Sequence, residues 1–91
     1  MAVRDRTGIL RDVNAVLVEH LGVAPSTPID EGTRFFADLG LASIDAVVLS
    51  EAIQQYYGRA LPFHELMAEI GRRTDRDLSI GELLTFLGEH L

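Results

Sequence analysis

One serine stands where its neighbours give it chemistry. The stretch Phe35-Phe36-Ala37-Asp38-Leu39-Gly40-Leu41-Ala42-Ser43-Ile44-Asp45-Ala46-Val47-Val48-Leu49 places a glycine shortly before Ser43, and Ser43 at the first turn of an apolar segment with helical period. Gly40 lets the chain turn sharply ahead of that helix. A helix N-terminus offers unpaired N–H groups and the positive end of the helix dipole. A phosphate esterified to Ser43 therefore lies in a favourable field, at a loop–helix junction that another protein can reach. Position alone supports a plainer reading as well: serine is among the commonest N-cap residues.

The helix that follows is apolar on more than one side. Ala46, Leu49, Ile53 and Tyr57 recur at the spacing of a core stripe. Ile44, Val47 and Val48 form a second group that continues to Glu51. A small helical domain has difficulty burying one helix all round, so the second group is expected to meet a partner. Asp38, Asp45 and Glu51 rim it with negative charge, which suits a transient docking surface for basic partners. Asp38, Leu41, Ile44, Asp45, Val47, Val48 and Glu51 are the candidate partner-binding residues. The competing reading folds Phe35 and Phe36 over Ile44 and Val47 and makes them core.

Other chemistry has little support. The chain has no Cys, which removes disulfides, thiolate metal sites and a thiol nucleophile. His20, His64 and His90 are far apart in sequence and lack a second ligand at helical spacing, so no metal site is expected. A triad of Ser43, Asp45 and a histidine has no spacing in its favour. Tyr56-Tyr57 reads as one core ring and one surface ring, and Met67 as core filler.

Four helices position these residues, and no segment of useful length alternates with period two. The first is expected over residues 5–21, capped by Asp5 and ended by Gly22, with Leu10, Val13, Leu17 and Leu21 on its buried face, widened by Ile9 and Val16. A long connection runs from Val23 to about Leu41, broken by Pro25, Pro28 and Gly32. Ile29, Phe35, Phe36 and Leu39 are expected to pin it to the core. The second helix spans Ser43 to Tyr57 and stops at Gly58. The third starts at Pro62 as its first residue and carries Phe63, Leu66, Met67 and Ile70 on one side. Residues 71–77 read as a solvated polar loop, with a partner contact as the alternative. Ser79-Ile80-Gly81-Glu82 matches a capping box and opens a fourth helix with Ile80, Leu83, Leu84, Leu87 and Leu91 as its stripe. The fold class is all-α: a small four-helix bundle with a long loop between helices 1 and 2 and a short third helix.

The totals agree with one small domain. The chain has 91 residues, 47% hydrophobic and 24% charged, with a formal net charge of −6. Its eight basic residues are all Arg. An acidic surface argues against a nucleic-acid partner, because such binding neutralises phosphates. No apolar run approaches the length of a membrane span. Met1 to Arg6 is charged without a following apolar core, so it does not read as a secretory leader, and a cytoplasmic, stand-alone monomer is expected.

The segment Asp38-Leu39-Gly40-Leu41-Ala42-Ser43-Ile44 resembles the attachment motif of acyl carrier proteins, D-L-G-x-D-S-[LI]. The likeness extends to the first-helix stripe, the Thr33–Asp38 lead-in, the Tyr57-Gly58 stop, the Leu61-Pro62 start and the last amphipathic helix. The resemblance implies a single carrier domain over residues 1–91 that catalyses nothing itself. It implies that a phosphopantetheinyl transferase places 4′-phosphopantetheine from coenzyme A on Ser43, and that acyl-loading and acyl-processing enzymes then use the arm as a thioester carrier. Ala42 departs from the family, which places Asp immediately before the serine. The segment from Phe63 to Leu78 is longer than the family's by about two helical turns. The second helix is less acidic than in carriers of primary fatty acid synthesis, with Val48, Gln54 and Gln55 where acids are common. That points to a discrete carrier of polyketide or nonribosomal peptide assembly, with fatty acid synthesis as the alternative. From a different class, an unmodified helical adaptor could use the same apolar patch.

Overall fold

The computed structural model describes residues 5–91 and places four helices in chain order: α1 Arg6–Leu21, α2 Ser43–Tyr57, α3 Phe63–Gly71 and α4 Ile80–His90. Residues 1–4, on which the reading of the leader rests, lie outside the described residues. Among the described residues the only β pairing is an isolated bridge between Arg34 and Ser79. The all-α bundle with its long first connection and short α3 is the architecture the periodicity predicts.

Local signals set most of the helix ends. The Asp5 carboxylate accepts from Gly8 N–H at 2.7 Å and caps α1. Ser79 and Glu82 form the reciprocal capping box at the head of α4, with both backbone-to-side-chain bonds at 3.1 Å. The start of α3 differs from expectation by one residue. Pro62 has φ −80° and ψ 58°, and Phe63 N–H donates to Leu61 C=O at 2.8 Å across it. That is an inverse γ-turn, whose ψ is incompatible with a helical residue, so the helix begins at Phe63.

The core is shared by all four helices and by the first connection. α1 packs against α2 and α4. Its buried face is Ile9, Val13, Val16 and Leu17, while Leu10 and Leu21 are half-buried at its edge. All four buried residues lie on the expected face, whose centre falls nearer Ile9 and Val16 than Leu10 and Leu21. Both pairs satisfy the helical period, and the directions of α2 and α4 decide between them. Ile80, Leu83, Leu84 and Leu87 of α4 are fully buried with Leu17, Ile53 and Phe35. Each such side chain contributes about 1.5–3 kcal/mol of transfer free energy. Phe63 and Phe86 bring α3 to α4 with ring centroids 5.0 Å apart.

The long connection does not float. Phe35 is buried, and Ile29, Phe36 and Leu39 are half-buried against the core, as their spacing predicts. Backbone bonds then zip it to the head of α4: Ile80 N–H to Thr33 C=O and Gly81 N–H to Glu31 C=O, both at 2.8 Å. A Cβ on Gly81 would lie 3.0 Å from Glu31 O, so this close approach needs glycine. Arg6 locks the same corner, with Nη2 2.6 Å from Glu31 Oε1 and Nη1 donating to Thr85 Oγ1 at 2.9 Å.

Residues 71–77 are mostly exposed, as expected of a polar loop, yet they are tied to the rest of the fold. Leu78 is buried, Arg73 pairs with Glu82 at 2.6 Å, and Asp77 bonds to the first connection. The loop faces solvent at Arg72, Thr74, Asp75 and Arg76, while Asp77 ties it along the lead-in to α2.

Candidate functional site

The site is assembled from the turn over residues 34–40 and the first turn of α2. Arg34 C=O accepts from Asp38 N–H at 3.0 Å and Leu39 N–H at 3.1 Å, and Phe36 C=O accepts from Gly40 N–H at 3.0 Å. The Asp38 carboxylate closes the turn by accepting from Arg34 N–H at 2.8 Å. Gly40 then adopts φ +67°, the left-handed conformation that redirects the chain. Space around it is open, so backbone conformation alone calls for glycine.

Ala42 is the N-cap residue, extended at φ −102° and ψ 170°, and contributes no side-chain cap. Asp45 supplies one half of a capping arrangement: its carboxylate accepts from Ala42 N–H at 2.7 Å. Ser43 is the first helical residue and is exposed. Its hydroxyl makes no hydrogen bond among the described residues, and neither do the N–H groups of Ser43 and Ile44. The plain reading of Ser43 as a cap therefore fails: the residue sits one position too far along and its Oγ is uncommitted. Ser50 Oγ donates to Val47 C=O at 2.8 Å and Ser79 Oγ caps α4. Ser43 thus combines a free, exposed hydroxyl with a helix N-terminus, where a phosphate oxygen would find donors and a favourable dipole.

Ile44, Val47 and Val48 follow on one face and are 67%, 50% and 37% exposed. Phe35 and Phe36 do not cover them. The two rings meet edge-on at 5.0 Å and line the opposite, core side of α2 with Ala46 and Leu49. Glu51 is exposed one turn farther on, Leu41 is half-buried against the core, and Asp38 and Asp45 are engaged in the two turn caps. Beneath this face, among the described residues, lies a small apolar cavity of about 20 Å³, bounded by Phe36, Met67 and Leu83 among others. That is room for about one water-sized sphere.

Comparison with known proteins bears on what such a serine does. The family described as "Phosphopantetheine attachment site" matches this chain over residues 11–71. The chain belongs to that family. Its prosthetic group is 4′-phosphopantetheine, and an exposed serine hydroxyl at a helix start, free of internal bonds, fits a phosphodiester link. An acyl carrier protein of Rhodopseudomonas palustris (strain BisB18) is 42% identical over 50 residues, covering 55% of this chain and 62% of the relative. Acyl carrier proteins of Bradyrhizobium sp. (strain ORS 278) and Nitrobacter hamburgensis are 40% identical over the same length, with the same coverage. The match thus spans 62% of the length of these relatives, less than two thirds. No solved structure matches the chain.

The histidines stay apart from the site. His64 lies beside Glu65, and the His90 ring meets Phe86 at a tilt, with centroids 4.7 Å apart. Among the described residues no group of side chains could hold a metal ion, and no helix is long and apolar enough to cross a membrane. Asp77 is the residue near the site that sequence reasoning passes over. Two of its three partners lie 41 and 40 positions away, so no local pattern marks its link to the lead-in.

Proposed function

We propose that this chain is an acyl carrier whose Ser43 receives 4′-phosphopantetheine, and that it catalyses nothing itself. The observation that carries the reading is the uncommitted, exposed Ser43 hydroxyl at the head of α2, beside the bare face of Ile44, Val47 and Val48. In the transfer, a bond forms between Ser43 Oγ and the phosphorus of coenzyme A that bears the pantetheine. The pyrophosphate P–O bond breaks, and the nucleotide leaves. The hydroxyl proton passes to a base of the phosphopantetheinyl transferase, since no base is bonded to Oγ among the described residues. When bound, the group supplies the thiol that this Cys-free chain lacks, and that thiol holds acyl groups as thioesters.

The chain's own residues present the arm and its carrier to other enzymes. The exposed face of α2 offers apolar contact, and the net charge of −6 favours partners with basic surfaces. Partners of this kind are the transferase and the acyl-loading and acyl-processing enzymes, and a cytoplasmic setting goes with coenzyme A as the donor. The modest acidity of α2, with Val48, Gln54 and Gln55 on it, favours a specialised pathway of polyketide or nonribosomal peptide type over primary fatty acid synthesis.

Incubation with coenzyme A and a broad-specificity transferase tests the reading by intact mass. The expected result is a gain of one phosphopantetheine that Ser43→Ala abolishes. An unchanged mass with several transferases would favour an unmodified adaptor that uses the same patch.

A further inference from the structure

The segment between α3 and α4 holds the turn that leads to Ser43. The Asp77 carboxylate accepts three backbone N–H groups: Phe36 at 3.0 Å, Ala37 at 3.1 Å and Leu78 at 2.8 Å. Two of these donors belong to the lead-in of α2. Phe35 N–H donates to Leu78 C=O at 2.9 Å, and Arg34 Nη1 lies 3.0 Å from Asp75 Oδ2. Four consecutive residues of the lead-in, Arg34 to Ala37, are therefore fixed from residues 75–78.

The connection continues to the site through the backbone. Asp77 takes the N–H of Phe36, and the C=O of Phe36 takes the N–H of Gly40. Gly40 sets the direction of the chain three residues before Ser43. A carboxylate is the side chain that suits this role. It is acceptor-only on both oxygens, whereas an amide would turn an NH₂ towards one of the backbone donors. Charge-assisted bonds to backbone N–H groups are also the stronger kind.

We propose that Asp77 is a positioning residue for the modification of Ser43. It holds the Arg34–Gly40 turn so that the head of α2 meets the transferase in one orientation. The inference rests on the reading of Ser43 as the attachment residue. It also accounts for the long segment between α3 and α4, which braces the site from the far side of the lead-in. The effect falls on binding. Loss of the brace lowers the fraction of chains with a competent turn, and apparent affinity falls by that fraction.

The experiment measures steady-state kinetics of a broad-specificity transferase on the unmodified full chain and on Asp77→Ala, Asp77→Asn and Asp77→Glu. Amide NMR spectra are recorded for each at a temperature where all are folded. The expected result is a KM for Asp77→Ala raised about tenfold with kcat nearly unchanged. Asp77→Asn should be intermediate and Asp77→Glu closer to wild type, with the Phe36, Ala37 and Gly40 amide signals displaced in the order Ala, Asn, Glu. If Asp77→Ala does not fold, the Asn and Glu variants carry the same comparison. Displaced amide signals with KM unchanged would overturn the inference and leave the reading of Ser43 intact. A wild-type chain that accepts no phosphopantetheine would overturn that reading instead.

Discussion

Replacing Ala42 by asparagine tests how α2 begins. Ala42 has the extended conformation of an N-cap but no side-chain acceptor, and the Ile44 N–H two residues on has no partner among the described residues. An asparagine side chain in that conformation accepts from such an N–H, and the exchange between alanine and a good cap is worth about 1 kcal/mol, within 0.5–2. For a domain of this size, 1 kcal/mol moves the melting temperature by about 4–8 °C. Ala42→Asp adds attraction to the helix dipole, about 0.3–1 kcal/mol. It also brings a second carboxylate near Asp45, which sits on the N–H of residue 42 at 2.7 Å. Two carboxylates about 5 Å apart in water repel by roughly 0.8 kcal/mol. The two terms nearly cancel, so both variants should stabilise by similar amounts, within about 0.5 kcal/mol of each other. Thermal melts followed by circular dichroism give the answer. No gain from either variant would refute the cap geometry. A gain from Ala42→Asp alone would show that charge, and not the missing hydrogen bond, is what the helix start lacks.

Other perturbations separate the faces of the site. Val48→Asp should cost about 1–2 kcal/mol of stability, because Val48 is already 37% exposed, yet lower kcat/KM with partner enzymes about tenfold. A loss above about 3 kcal/mol in a denaturant titration would put Val48 in the core. Gly40→Ala should cost about 1–2 kcal/mol through backbone strain at φ +67°, since nothing blocks the added methyl; an unchanged denaturation midpoint would contradict the turn. Glu82 and Asp77 both give the fold an acid limit. The Arg73 guanidinium holds Glu82 below its ordinary 4.5. Burial works against the charge on Asp77, but the N–H groups of Phe36, Leu78 and Ala37 and the charge of Arg34 outweigh it and hold Asp77 below 3.8. Both pKa values are depressed in the folded state, so the unfolded chain binds more protons as pH falls. Their stabilisation is complete above about pH 5.5, and is lost as pH drops below 4.5 and then 3.8. Urea midpoints between about pH 3 and 7 should show that decline, and Arg73→Gln should flatten its upper part.

The helices and their caps are legible in the sequence because their causes are local. Asp5, Gly22, Gly58 and the Ser79–Glu82 box act within a turn of the chain, and each does what its residue type dictates. The glycine turn and the position of Ser43 are legible for the same reason. That Ser43 Oγ is uncommitted is not, because a serine at a helix start reads equally well as a cap until the N-cap is found to be Ala42. The buried face of α1 is centred nearer Ile9 and Val16 than Leu10 and Leu21, since periodicity gives a broad stripe but its partners choose the angle. The brace from residues 75–78 is invisible in the sequence. A run of alternating Arg and Asp carries the composition of a solvated loop, and only the folded chain brings Asp77 against two N–H groups from the lead-in. Bareness of Val47 is likewise a tertiary outcome: Phe35 and Phe36 pack on the opposite side of α2.

Whether Ser43 carries the arm is decided by peptide-level mass spectrometry after reaction with coenzyme A and a transferase. The chain has no Lys, so trypsin cuts only at Arg and releases Phe35–Arg59, which holds Ser43 and Ser50. Fragmentation of that peptide distinguishes the two. The expected result is one phosphopantetheine on Ser43, whose hydroxyl makes no hydrogen bond among the described residues, and none on Ser50, whose hydroxyl is bonded to Val47 C=O. An adduct on Ser50, Ser26 or Ser79, or no adduct on any peptide, would contradict it.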